Sequence, residues 1–192
     1  PFAEKYSIQI IESDNDLGRK MKISNEVFQH YNVMYLVYFK VYINEVYLWE
    51  AVESNDVSAI QQNANALNTA AKEGLETLKT KSKYKDDDSI INATKTAFEF
   101  FIDETENKMP QLTDFLILNE DFEKIKTTLE QTPERDRTKK QIDAFNKKVK
   151  DINKAVKNYN KVNTDLNTKR QTVINGLNNT NANFLANHIP ND

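Results

Sequence analysis

The run at residues 30–52, HYNVMYLVYFKVYINEVYLWEAV, constrains the chain more than any other stretch. So apolar a segment is a membrane span, a buried strand, or a helix with an aromatic face. A spanning helix needs about 20 largely apolar residues. Here Lys40 interrupts after seven apolar residues, and Asn44, Glu45 and Glu50 follow, so the run is no membrane span. Val, Ile, Tyr and Phe favour strands, but the pattern is too long for one strand and has the wrong period. Phe28, Tyr31, Tyr35, Tyr38, Tyr42, Val46, Trp49 and Val52 follow steps of three and four, and Val27, Met34, Val41 and Leu48 form a second row at sevens. The spacing predicts a helix over residues 24–54, buried on more than half its circumference at the centre of a bundle.

Composition supports long helices throughout. The 192 residues contain three glycines and four prolines, too little punctuation for a sandwich, a barrel or a string of hairpins. At 39% apolar residues, the chain can fill one sizeable core. Asp56 is placed to cap a second helix reaching about residue 81, with Ile60, Ala64, Leu67, Ala71, Leu75 and Leu78 on its inner face. The polar run KSKYKDDDS at residues 81–89 reads as a loop, its aspartates favouring the start of a third helix near Asp88. Pro110 lies inside that helix's pattern and predicts a kink or break between residues 108 and 111. Thr132-Pro133 reads as the start of a fourth helix that carries its register through Ile142, Phe145, Val149, Ile152, Val156, Tyr159, Leu166 and Val173 toward residue 187.

The expected fold is therefore all-α, an elongated antiparallel up-down four-helix bundle with a kinked third helix and a long fourth. Residues 24–192 form its single domain and residues 1–23 an extended tail. The fourth helix outruns the second by a factor of two. Either the third and fourth helices project as a two-stranded coiled coil, or the N-terminal segment, with Tyr6, Ile8 and Ile10 alternating, folds back over that end.

Net charge is −3, distributed unevenly. Residues 1–132 carry 14 Lys and Arg against 23 Asp and Glu, whereas residues 133–170 carry 12 against 5. A basic helix beside acidic ones satisfies a bundle's own electrostatics. Lys139, Lys140, Lys147, Lys148, Lys150, Lys154, Lys157 and Lys161 lack the interleaved aromatics that grip single strands, so nucleic acid is not an expected partner. Lys147, Lys150, Lys154, Lys157 and Lys161 are retained as a possible interaction surface.

Chemistry is thinly represented. There is no cysteine, which removes disulfides, thiol catalysis and Cys-ligated metals. The two histidines, His30 and His188, sit in no metal-binding spacing, and Gly18, Gly74 and Gly176 are too scattered for a phosphate loop. No metal or other cofactor is expected. The carboxylates Asp103, Glu104 and Glu106, and again Glu120, Asp121 and Glu123, read as solvated faces of an acidic helix. Tyr31, Tyr35, Tyr38, Tyr42 and Trp49 suggest a possible ligand pocket between helices; core packing, with hydroxyls reaching the rim or Asn32, Asn44 and Glu45, is the favoured reading.

Tyr31-Asn32 near the start of the first long helix, and the closing NANFLANHIP at residues 181–190 with Phe184, His188 and Pro190, give the chain a resemblance. It resembles an uncharacterised family of helical surface lipoproteins known from spirochaetes and Bacteroidetes. The resemblance implies an extracytoplasmic protein of the cell envelope or surface whose lipid-bearing cysteine preceded Pro1, and it brings no activity with it. His188 is read as a helix-end histidine facing terminal carbonyls. The leading functional expectation is a non-enzymatic exported module binding a protein or envelope component. The alternatives are a bundle carrying an apolar or aromatic small molecule and a cytoplasmic coiled-coil adaptor.

Overall fold

The computed structural model describes Lys5, Tyr6 and residues 15–191. It is all-α, as expected. Helix α1 spans Asp16–Glu53, α2 Val57–Lys79, α3 Ser89–Asp103, α4 Met109–Gln131 and α5 Lys139–His188. A π-helical turn, Glu104–Lys108, joins α3 to α4 without a break, so the two make one long third helix.

Helix α1 begins eight residues before the expected position. Asn15 caps it, its side-chain oxygen accepting from the Gly18 N–H at 2.7 Å, so residues 16–23 are helical rather than part of an extended tail. The suggestion that Ile8 and Ile10 lie in a groove falls outside the described residues. The row at sevens is the one that reaches the core. Val27, Met34, Val41 and Leu48 are buried, together with Glu45 and Ala51, while the aromatic row borders it. Asp56 caps α2 as expected, accepting from the Ala59 N–H at 3.0 Å. Of the predicted inner face of α2, Leu75 is only half-buried. Gly74 is buried instead, and a Cβ there would lie 2.6 Å from the Phe98 ring and 3.0 Å from Val41. The absence of a side chain lets α1, α2 and α3 approach closely at that level.

The irregularity near Pro110 is a π-turn over Glu104–Lys108, just ahead of the expected residues 108–111, and the helix is not broken there. Proline at position 110 has no N–H, and its ring crowds the carbonyl four residues back. One extra residue per turn relieves this, and the Met109 N–H bonds to the Glu104 carbonyl five residues earlier. The insertion also carries the inner face from Phe98 and Phe101 to Met109 and Leu112, all buried.

The start of the last helix is also corrected. Thr132 ends α4 in an extended conformation, a 3₁₀ turn spans Glu134–Asp136, and α5 begins only after Thr138. Thr138 and Gln141 form a reciprocal capping box, and Arg137 Nε donates to the Leu129 and Thr132 carbonyls at the end of α4. With 50 residues, α5 is about 75 Å long at 1.5 Å per residue.

The staggered arrangement resolves the mismatch of helix lengths. α1, α2, α3 and the second half of α5 form the bundle, with Leu166, Leu177 and Phe184 of α5 in its core. The rest of α4 and the first half of α5 pair with each other as an arm, through Phe115 on Tyr159 (ring centroids 4.4 Å apart) and Phe122 on Phe145 (5.8 Å).

Candidate functional site

The base of the arm, where α1, the π-turn and α5 meet, holds an ion cluster. Arg170 of α5 donates from Nε to Glu45 Oε1 of α1 at 2.6 Å and from Nη1 to Asn167 Oδ1 at 2.7 Å. Its Nη2 reaches Glu104 Oε1 in the π-turn. Trp49 Nε1–H donates to the same Glu104 oxygen at 3.1 Å, and the guanidinium lies 4.0 Å from the centre of the Trp49 ring. A planar cation thus bridges two carboxylates while stacking on indole, a combination that arginine can make and lysine cannot.

The two carboxylates are not solvated. Glu104 is 0% exposed and Glu45 3%, which overturns the reading of Glu104 as part of a solvated face. Glu104 Oε2 is buried without a hydrogen-bond partner. Burial pushes the Glu104 pKa up to about 7 against the pull of Arg170, with Glu45 adding to the rise. Burial raises Glu45 as well, opposed by Arg170. One guanidinium facing two acids leaves a negative charge in a poorly hydrated place, so the cluster holds a proton more readily than an exposed carboxylate does. Asp103 and Glu106, by contrast, pair at the surface with Lys169 and Lys72 at 3.0 and 2.7 Å.

A signal for this cluster existed in the sequence. Glu45 follows Val41 by four and precedes Leu48 by three, which places a charge in the core row. Arg170 has the same relation to Leu166 and Val173. Charges in two apolar rows call for each other.

The five residues suggested as a ligand pocket do not gather around one cavity. Tyr31, Tyr35 and Phe39 stack along α1 with centroids 6.1 and 6.0 Å apart, and Tyr35 and Phe39 are exposed. Tyr38 packs on Tyr42 (5.4 Å) and Phe98 (6.5 Å), and burial first, then Glu45, raises its hydroxyl pKa. Trp49 belongs to the ion cluster. Tyr42 and Trp49 share an open groove of about 300 Å³ with Glu45, Glu50, Glu53 and Arg170.

At the far end of the bundle, His188 Nε2 lies 2.8 Å from Asp87 Oδ2. Its partner is a carboxylate from the loop before α3, not the carbonyls of its own helix. Hydrogen bonds from Ser89 above all, and from His188, hold the Asp87 carboxyl below its ordinary range. His188, Phe184, Tyr84 and His30 pack as an aromatic cluster that closes this end.

The lysines of the arm form the clearest surface feature. Lys147, Lys150, Lys154, Lys157 and Lys161 are all exposed. Their steps of three and four set them on one side of α5, a ridge about 21 Å long. None pairs with a carboxylate among the described residues, whereas Lys148, on a different side, lies 3.6 Å from Asp121. They form a one-sided ridge, with Asp143 and Asp165 on the same side at its two ends.

Fold and surface together define an all-α staggered bundle bearing a two-helix basic arm. No family model matches the chain, and neither the curated proteins nor the solved structures give a significant match. Among the described residues, no helix is long and apolar enough to cross a membrane, and no group of three or more acidic or histidine side chains is placed to hold a metal ion.

Proposed function

We propose that this protein is a non-enzymatic interaction module of the cell envelope or surface, and that its arm binds a protein or envelope component presenting negative charge. The observation that carries this reading is the unpaired lysine ridge. Five cations held on one side of a helix, none in an ion pair among the described residues although Asp143 and Asp165 share their face, form a preorganised site for an anionic surface. The ridge lies on the outer side of α5, opposite Phe145 and Tyr159, which face the acidic helix α4. The non-enzymatic part rests on the burial of Glu104, the carboxyl that burial raises to about 7. Acid–base work requires a group within reach of substrate, and Glu104 has no exposed surface. The extracytoplasmic setting rests on the resemblance to helical surface lipoproteins.

The test is binding of the full chain to envelope fractions of the producing cell, over a range of salt. The five-site Lys→Glu variant at positions 147, 150, 154, 157 and 161 is the comparison. Saturable binding that weakens with salt and disappears in the variant is expected. Equal binding of both proteins, or none of either, rejects the arm as the binding surface. Protease accessibility of the protein on intact cells tests the location independently.

A further inference from the structure

The bundle leaves one face of α1 uncovered, and that face is unusually apolar. Phe28 and Tyr35 are each 44% exposed, Phe39 42%, Leu36 61% and Met21 59%. Scattered exposed apolar residues are ordinary, but a contiguous strip of this kind marks a contact surface. Its spacing is regular. Met21, Asn25, Phe28, Asn32, Tyr35 and Phe39 follow alternating steps of four and three, with Val46 one heptad after Phe39. That is the seam of a coiled coil. It runs for about 38 Å, at 1.5 Å per residue. The buried row Val27, Met34, Val41 and Leu48 faces the bundle on the opposite side. α1 thus carries two seams, and its own chain fills one among the described residues.

We propose that the outer seam of α1 pairs antiparallel with the same seam of a second copy of this chain. The heptad spacing fits a helix as the occupant, since knobs at positions three and four apart enter holes on a helix of the same repeat. The charges select the chain itself, and the direction. Lys20 and Lys22 lie at the start of α1, and Glu50 and Glu53 at its end. Lys22, Glu50 and Glu53 have no ion-pair partner among the described residues, and Lys20 reaches only Asp16 of its own helix, at 3.4 Å. A parallel pair would set Glu50 and Glu53 against their own copies, like charge on like. An antiparallel pair sets them against the partner's lysines at both ends, through one two-fold axis that closes the assembly at two subunits. Asn25 and Asn32 in the seam add hydrogen-bonding groups that penalise slipped registers. Beside Leu36, a groove of about 440 Å³ between α1 and α2 offers room for a partner side chain.

The measurement is the solution mass of the full chain by sedimentation across a concentration series. Concentration-dependent growth from 22.3 kDa towards twice that mass is expected. Phe39→Glu and Tyr35→Glu alter exposed residues, so both should retain the helical circular dichroism of the parent while weakening self-association by a factor on the order of 10 to 100. Direction is read by cross-linking, for which a chain without cysteine is well suited. Lys20→Cys and Glu50→Cys should cross-link when mixed and not when alone. A constant mass of one chain overturns the proposal and makes a different occupant, such as residues 1–14 of the same chain, the next explanation. A dimer indifferent to Phe39→Glu overturns it as well, and self-cross-linking of each single-cysteine protein overturns the antiparallel arrangement.

Discussion

Arg170 is the residue on which the interior electrostatics depend. Removing one partner of a buried ion cluster leaves the others charged and unpaired, typically costing about 3–5 kcal/mol. Arg170→Met is therefore expected to lower the unfolding free energy by that order near pH 8, and by less near pH 5, where Glu104 takes up a proton. Denaturant titrations at the two pH values measure the difference. The parent protein should show its own pH dependence, for the same reason. The folded Glu104 pKa, about 7, lies above its ordinary value of 4.5, so folding takes up a proton. Its stabilising contribution is complete below about pH 4.5 and is lost as pH rises through 7. The loss amounts to as much as about 3 kcal/mol, at 1.36 kcal/mol per pH unit. Asp87 and Asp103, held below their ordinary pKa, act in the opposite sense at lower pH, while within this window Glu45, raised by burial, adds to the slope and His30, lowered by burial, opposes it, so the Glu104 share is read as the difference from a variant. Glu104→Gln should flatten the slope between pH 4.5 and 7. An unchanged slope would show that the proton resides elsewhere. This cluster was only half legible in the sequence. Glu45 and Arg170 stand in apolar rows, and so does Glu104, seven residues after Ala97 and three after Phe101, but its neighbours Asp103 and Glu106 made the three carboxylates read as one solvated face.

The helices themselves were legible wherever one local signal acted alone. Asp56 capped α2, the glycine-poor stretches remained helical, and the KSKYKDDDS run formed the α2–α3 loop, with Lys85 in the left-handed region (φ 53°) inside the Tyr84–Asp87 turn. Signals failed where two competed. Thr132-Pro133 and the Thr138–Gln141 pair are both plausible helix starts. The second prevailed because its box satisfies two N–H groups reciprocally, while Pro133 follows a chain already turned outward. Pro110 was read as a kink or break, and the helix is disturbed but not severed, since burial of Met109 and Leu112 makes a widened turn cheaper than a broken helix. The π-turn therefore sets the register of everything that follows. Deleting exposed Asn107 removes the extra residue of the widened turn, so regular α-helical spacing would still bring Met109 and Leu112 to the core face, but the Pro110 ring would then meet the carbonyl four residues back without relief. A proline so placed typically costs about 3 kcal/mol. A fall of roughly 6–12 °C in Tm is expected, at about 2–4 °C per kcal/mol for a chain of this size. Asn107→Ala, which forfeits only a surface bond to Asp103 at 2.9 Å, should stay within about 0.5 kcal/mol of the parent. A deletion as mild as that substitution would mean that the widened turn does not serve to relieve Pro110.

The molecule is two structures of unequal strength sharing one helix. In the bundle, Phe98, Phe101 and Phe184 are each at most 1% exposed, and contacts come from all sides. In the arm, each helix has a single neighbour. Ile152 is its most enclosed apolar side chain at 8% exposed, and Ile142 and Val156 remain 41% and 37% exposed. A two-stranded pairing buries little apolar area per backbone hydrogen bond, so local opening should require much less free energy there than global unfolding. α5 provides an internal control, because one unbroken helix traverses both environments and its bundle half, rich in Asn and Thr and containing Gly176, has the lower intrinsic helix propensity. Amide hydrogen exchange should therefore show a step within α5, with fast exchange over residues 140–160 and slow exchange over residues 166–186. The Thr138 cap, worth about 1 kcal/mol in comparable helices, would shift the fast half when removed as Thr138→Ala and leave the slow half unchanged. Uniform protection along α5 would mean that the arm and bundle open as one unit, with the ion cluster at their junction coupling them. A step located at Arg170 would mean that the cluster marks where the cooperative core ends, leaving the lysine ridge on the portion of the protein most able to adjust to a partner.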